Sequence, residues 1–165
     1  MHRTHNPLVS AADTDNPAVV SPADILRGAA RYLEVHGWTR GTYYAADPGY
    51  ASGRPSGPFP PACADGAIGM AAYGRITACP GRETSDPAFR DYNRARELFD
   101  DYVESTGWES AYLDTWCDGG TDYTCDPADE ITFAWNDADG RTAADVIAAL
   151  RAAADDYDRT HGGTR

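Results

Sequence analysis

Cys63 is the first candidate for covalent chemistry. It follows Pro60-Pro61 and opens the stretch ACADGAIGMAAY (62–73), which reads as a short buried helix. Backbone N–H groups at a helix start favour a thiolate, the reactive form of the side chain. A nucleophilic cysteine also needs a base and an orienting group. His36, with Asn136 or Asp137, could supply them, since sequence distance does not forbid contact. The competing reading makes Cys63 a small apolar core residue, a common setting for a free thiol. No local cysteine-protease signature surrounds it.

A second constellation is Trp135-Asn136-Asp137-Ala138-Asp139-Gly140. Its D-x-D-G run invites a calcium-loop reading, in which Gly occupies position 6 and a bidentate Glu position 12. With Gly140 at position 6, Trp135 falls at position 1 and Val146 at position 12, and neither binds calcium. Turn and cap chemistry fits better: Asp139-Gly140 makes a turn, and Thr142 with Asp145 forms a capping box. Trp135, Asn136 and Asp137 are left over, to pack and hydrogen-bond or to react. Metal binding has little support. The cysteines stand at 63, 79, 117 and 125, without close ligand pairs or paired histidines. No metal or cofactor is expected. Phosphate-cradling glycine motifs and a G-x-S-x-G elbow are absent.

The third candidate is a surface. Residues 97–139 contain thirteen acidic residues and no basic one, whereas 1–96 hold nine acidic and ten basic and 140–165 hold four of each. The net charge of −12 therefore arises in one segment. Three of the chain's four tryptophans lie there too. Carboxylates beside aromatic faces suit a cation, through charge steering and cation–π contact. The residues expected to make such contacts are Trp108, Glu109, Tyr112, Asp114, Trp116, Asp118, Asp122, Tyr123 and Trp135. The plainer alternative packs the aromatics in the core and solvates the carboxylates. Direct nucleic-acid binding and docking on anionic lipid are disfavoured, because both require basic surface.

These candidates need elements to hold them. The 165 residues suit one domain, with no apolar run long enough to span a bilayer. The N-terminus lacks the apolar core of a secretory signal, which leads us to expect a cytoplasmic, reducing setting with free thiols. Ser21-Pro22-Ala23-Asp24 is a strong helix start, followed by helical spacing to Leu33 and a stop at His36-Gly37. A second main helix opens at Asp86-Pro87 and stops at Gly107; a third runs from about Ala143 to Tyr157. Short strands are expected near 38–46 and 131–135, and loops at 47–61 and 118–129. The expected fold is mainly α: a small single-domain bundle of three main helices plus the short buried one, with minor β. Its boundaries read as a disordered tail over 1–16, one helical domain over 17–158 with an acidic insertion at 97–130, and a flexible tail over 159–165.

Three blocks carry a resemblance: ILRGAARYLEVHGWTRGTYY (25–44), CADGAIGMAA (63–72) and ITFAWNDADGRTAADVIAALRAAA (131–154). Together they resemble a family of short bacterial and phage proteins known as a domain of unknown function. The resemblance implies that His36-Gly37-Trp38, Cys63, Gly66 and Trp135-Asn136-Asp137 are its defining positions, and that 97–130 is a variable insertion. It implies no activity. Asp65 departs from the neutral residue of the pattern, and a carboxylate so near would raise the Cys63 pKa.

Three functions follow as expectations. The leading one is a cytosolic, non-catalytic binding or accessory protein whose 97–137 surface engages a basic protein, a peptide or a cationic small molecule. The second is a cysteine-dependent hydrolase or acyl transferase using Cys63, His36 and Asp137. The third is a structural part of a phage particle or larger assembly.

Overall fold

The computed structural model describes residues 20–46, 55–108 and 127–162. Five α-helices occur among them: α1 (Pro22–His36), α2 (Ala64–Tyr73), α3 (Phe89–Ser105), α4 (Pro127–Asn136) and α5 (Ala143–His161), with a single 3-10 turn at Pro80–Arg82. No helix among the described residues is long and apolar enough to cross a membrane.

The local chemistry of the first and last helices sets their starts. Ser21 caps α1 with its side chain, Pro22 takes the first helical position, and Gly37 closes the helix at φ 95°. Thr142 and Asp145 form a reciprocal capping box on α5. The inward stripe of α1 (Ile25, Leu26, Ala29, Ala30, Leu33) meets Val146, Leu150, Ala153 and Ala154 of α5 in one core with α2 and α3. Leu26, Ile68, Phe99, Val103 and Leu150 are fully buried, each contributing roughly 1.5–3 kcal/mol. Ion pairs staple the outside of the same seam: Arg27 to Asp155 and Asp158, both at 2.7 Å, and Arg151 to Glu34 at 2.6 Å.

Both expected strands are corrected. Residues 38–46 form only isolated bridges, Trp38 and Tyr44 each to Ala62, and Ala46 to Pro55. Gly37 and Gly41 have positive φ and break the extended run. Pro60 and Pro61 have no N–H to extend a ladder. The 131–135 stretch is helical, part of α4, which begins at Pro127 within the expected loop. Its β-prone Ile131, Thr132 and Phe133 yield to packing, because Thr132, Trp135 and Asn136 all become buried in a helix. Residues 97–105 of the expected insertion are the second half of α3, carrying core Phe99 and Val103. At the other end, α5 continues past residue 158 to His161.

The core face of α3 also carries charge that helical spacing did not reveal. Arg96 and Asp100 are buried there, near buried Asp65 of α2 and Thr132 of α4. The Tyr92 hydroxyl donates to Asp65 Oδ1 at 2.6 Å, and the Thr132 hydroxyl donates to Asp100 Oδ1. Burial pushes the Asp100 carboxyl up to about 7, against the opposing pull of Thr132 and Arg96. A raised folded-state pKa stabilises most below the unfolded value, near ~3.9, and the gain is lost as pH rises through about 7. Asp100→Asn keeps an acceptor for Thr132 and removes the proton linkage. Urea unfolding from pH 4 to pH 8 should show wild-type stability falling relative to the variant, by on the order of 2–4 kcal/mol across the window. Parallel curves for the two proteins would refute the buried, protonated Asp100.

Candidate functional site

The three blocks of the resemblance meet at the start of α2. That helix begins inside the protein, with every residue from 62 to 70 buried. Its first backbone N–H groups have no helical partners and no water, so side chains must satisfy them. The Cys63 sulfur accepts from the Gly66 amide at 3.3 Å, acting as the helix cap. The Asn136 carbonyl oxygen accepts from the Ala64 amide at 3.0 Å.

Asn136 ends α4 and is 0% exposed. Its oxygen also accepts from the Trp38 indole N–H at 2.8 Å. Its amino group donates to the Thr39 carbonyl at 3.3 Å and to Asp137 Oδ1 at 2.7 Å. All four positions of the carboxamide are therefore used. The other Asp137 oxygen accepts from the Gly41 amide at 2.8 Å, and the Arg40 guanidinium donates to the Asp137 carbonyl. The 37–46 loop is thus sewn to α4 and α2 at once.

Gly66 is required by the same geometry. A Cβ there would lie 2.3 Å from the Tyr43 carbonyl oxygen, which accepts from the Cys63 amide at 3.0 Å. Gly69 allows similar closeness to Pro80, whose ring would come within 2.9 Å of an added Cβ. The small-residue texture of α2 thus lets a loop and a turn lie directly on its backbone.

The arrangement brings Cys63, Asn136 and Asp137 into one cluster and leaves His36 outside their hydrogen bonds. His36 ends α1 with its ring stacked 5.3 Å from exposed Phe59 and tilted 4.6 Å from Tyr32. Cys63 is fully buried, and burial, with the Asp65 charge second, pushes its thiol far up. A thiol so placed stays protonated at neutral pH and is a poor nucleophile. Among the described residues no three His, Cys, Asp or Glu side chains cluster as a metal site.

Of the expected partner-binding residues, Trp108 is half-buried against the core. Trp135 is only 5% exposed, with Phe99 edge-on at 5.4 Å. Arg141 lies over its ring at 4.0 Å and donates through Nε to its carbonyl at 3.1 Å. Trp135 therefore already holds a cation from its own chain. Glu109, Tyr112, Asp114, Trp116, Asp118, Asp122 and Tyr123 lie outside the described residues. Arg141 and the backbone groups of Thr39, Gly41 and Ala64 escaped the sequence reading, because no local pattern marks a partner supplied by the fold.

One family model matches the chain, over residues 17–156: DUF6197, a family of unknown function. All three resembling blocks lie within that span. No curated protein and no solved structure matches.

Substitutions separate a structural knot from a reactive one. Asn136→Ala leaves the Trp38 and Ala64 donors unpaired in the interior and should cost about 2–5 kcal/mol in denaturant unfolding. Gly66→Ala should cost at least about 2 kcal/mol through collision with the Tyr43 carbonyl. Cys63→Ser preserves a cap acceptor and should stay within about 1 kcal/mol of the parent. Alkylation of Cys63 on folded protein, followed by mass spectrometry from pH 6 to 9, should be slow throughout. Rapid labelling below pH 8 would restore it as a nucleophile.

Proposed function

The chain belongs to the DUF6197 family, and we propose that it is a non-catalytic binding protein whose acidic, aromatic 97–137 segment engages a basic protein surface or an arginine-rich peptide. The supporting observation is how carboxylates are neutralised across the fold. Outside the segment many of them meet arginines: Asp155 and Asp158 with Arg27, Glu34 with Arg151, Glu83 and Asp86 with Arg75. Within it, Glu97, Asp101 and Glu104 stand exposed at helical spacing along α3. They form no ion pair with an arginine among the described residues.

A surface of uncompensated carboxylates attracts a polycation over a Debye length and accelerates its capture. The aromatic residues of the segment supply the short-range part, since an arginine side chain stacks on rings while its charge meets carboxylates. A catalytic function has weaker support, because the Cys63 thiol is committed to capping α2 and the Asn136 carboxamide has no bonding position left over.

Calorimetric titration with an octa-arginine peptide tests this reading. Binding should weaken at least about tenfold between 50 and 300 mM salt. The triple variant Glu97→Gln, Asp101→Asn, Glu104→Gln should weaken it by about three- to tenfold at low salt while retaining the helical circular dichroism of the parent. Affinity that is insensitive to salt sinks the electrostatic reading.

A further inference from the structure

We propose that the groove between α3 and α5 binds a small organic monocarboxylate with an apolar body. The groove has a volume of about 340 Å3, within the range of roughly 300–1,000 Å3 common for ligand sites. Val103, Trp135, Ala149 and Ala152 give it an apolar part, and Tyr102, Thr106, Arg141 and Asp145 give it a polar part. The groove shares Tyr102, Val103 and Trp135 with the 97–137 segment, but its ligand is selected by Arg141, so the inference does not require capture of a basic partner.

Arg141 is the group that selects the ligand. Its guanidinium is fixed by stacking 4.0 Å over Trp135, and Nε is used on the Trp135 carbonyl. Its two terminal amino groups make no hydrogen bond among the described residues. A planar cation held flat, with its outer donors unused, presents the paired donors that match the two oxygens of a carboxylate. Tyr102 lines the same groove, and its hydroxyl also makes no hydrogen bond among the described residues.

Asp145 restricts the charge of the ligand. It lines the groove as well, and its carboxylate is tied to the Thr142 amide at 2.9 Å and to the Thr142 hydroxyl at 2.7 Å. Those bonds and the nearby Arg141 charge hold its pKa low, so it stays ionised. A fixed negative charge beside the cation repels a dianion more than a monoanion, which favours a carboxylate over a phosphate monoester. The apolar lining favours an aryl or branched alkyl body.

The test uses the full chain with 3-phenylpropionate, its neutral amide 3-phenylpropionamide, and the phosphate monoester phenyl phosphate, a dianion at neutral pH. Binding is read by NMR at the Arg141 Nε–H and the Trp135 indole N–H. Saturable shifts at both groups are expected with the acid. The amide and the phenyl phosphate should bind at least about tenfold more weakly. Arg141→Gln should reduce binding of the acid by a similar factor. Ala149→Leu fills the groove from a helical position while leaving Arg141 in the sequence, and should abolish the shifts while the fold persists. An absence of shifts at tens of millimolar acid overturns the proposal. So does an amide that binds as well as the acid, or binding that survives Ala149→Leu.

Discussion

A helix that begins in the interior of a protein must find hydrogen-bond partners for its first amides away from water, and α2 has this problem in full. Its solution sets much of the remaining structure. The Cys63 sulfur takes one amide and the Asn136 carboxamide takes another. For Asn136 to arrive there, α4 must be a helix that ends at that residue. For the other half of the carboxamide to be satisfied, the 37–46 loop must bring the Trp38 indole and the Thr39 carbonyl alongside. For the loop to lie that close, α2 must carry glycine at position 66. One buried helix start thus couples three distant pieces of sequence, and loss of any one leaves polar groups stranded in low dielectric.

This coupling explains what the sequence revealed and what it hid. Ser21-Pro22 and the Thr142/Asp145 box were legible, because capping is chemistry between residues two or three apart. The stop at Gly37 was legible for the same reason. Residues 131–135 misled, because Ile-Thr-Phe is β-prone in isolation and becomes helical only when Thr132 can meet Asp100 and Trp135 can meet Phe99. Arg96 and Asp100 gave no warning of burial, since polar residues on a helix read as its wet face. Trp135, Asn136 and Asp137 drew notice as a group that capping could not explain. That Asn136 and Asp137 bond loop and helix backbone while Trp135 packs is what the residue types allowed. Which backbone groups they reach was invisible to spacing.

The knot also bears on where chemistry is possible. A capping acceptor works by offering electron density to amide donors in a dry place, and dryness is what drives the Cys63 thiol towards its neutral form. Capping and nucleophilicity therefore pull the environment of one sulfur in opposite directions. An active thiol at a helix start needs solvent or a cation nearby, and this one has Asp65 and Asp137 as its neighbouring charges. The departure at Asp65, read from the sequence as a weakness of the nucleophile, gains a physical partner in Tyr92, whose hydroxyl bonds it in the core.

Charge is then divided by location. The α1–α5 seam neutralises its carboxylates internally, and the second half of α3 leaves Glu97, Asp101 and Glu104 facing water while burying Asp100. Arg141 stands just beyond the end of the acidic run and folds back onto Trp135, so the first cation after 44 residues without one is spent inside the domain rather than on the carboxylates around it. Had Arg141 reached outward, it would have offset part of the field on which capture of a basic partner depends. Its inward stacking leaves that field intact and, by the same act, places a preoriented guanidinium in a groove that it shares with Val103, Ala149 and Ala152. The two surfaces are thus consequences of one side-chain choice, and they select ligands of opposite sign.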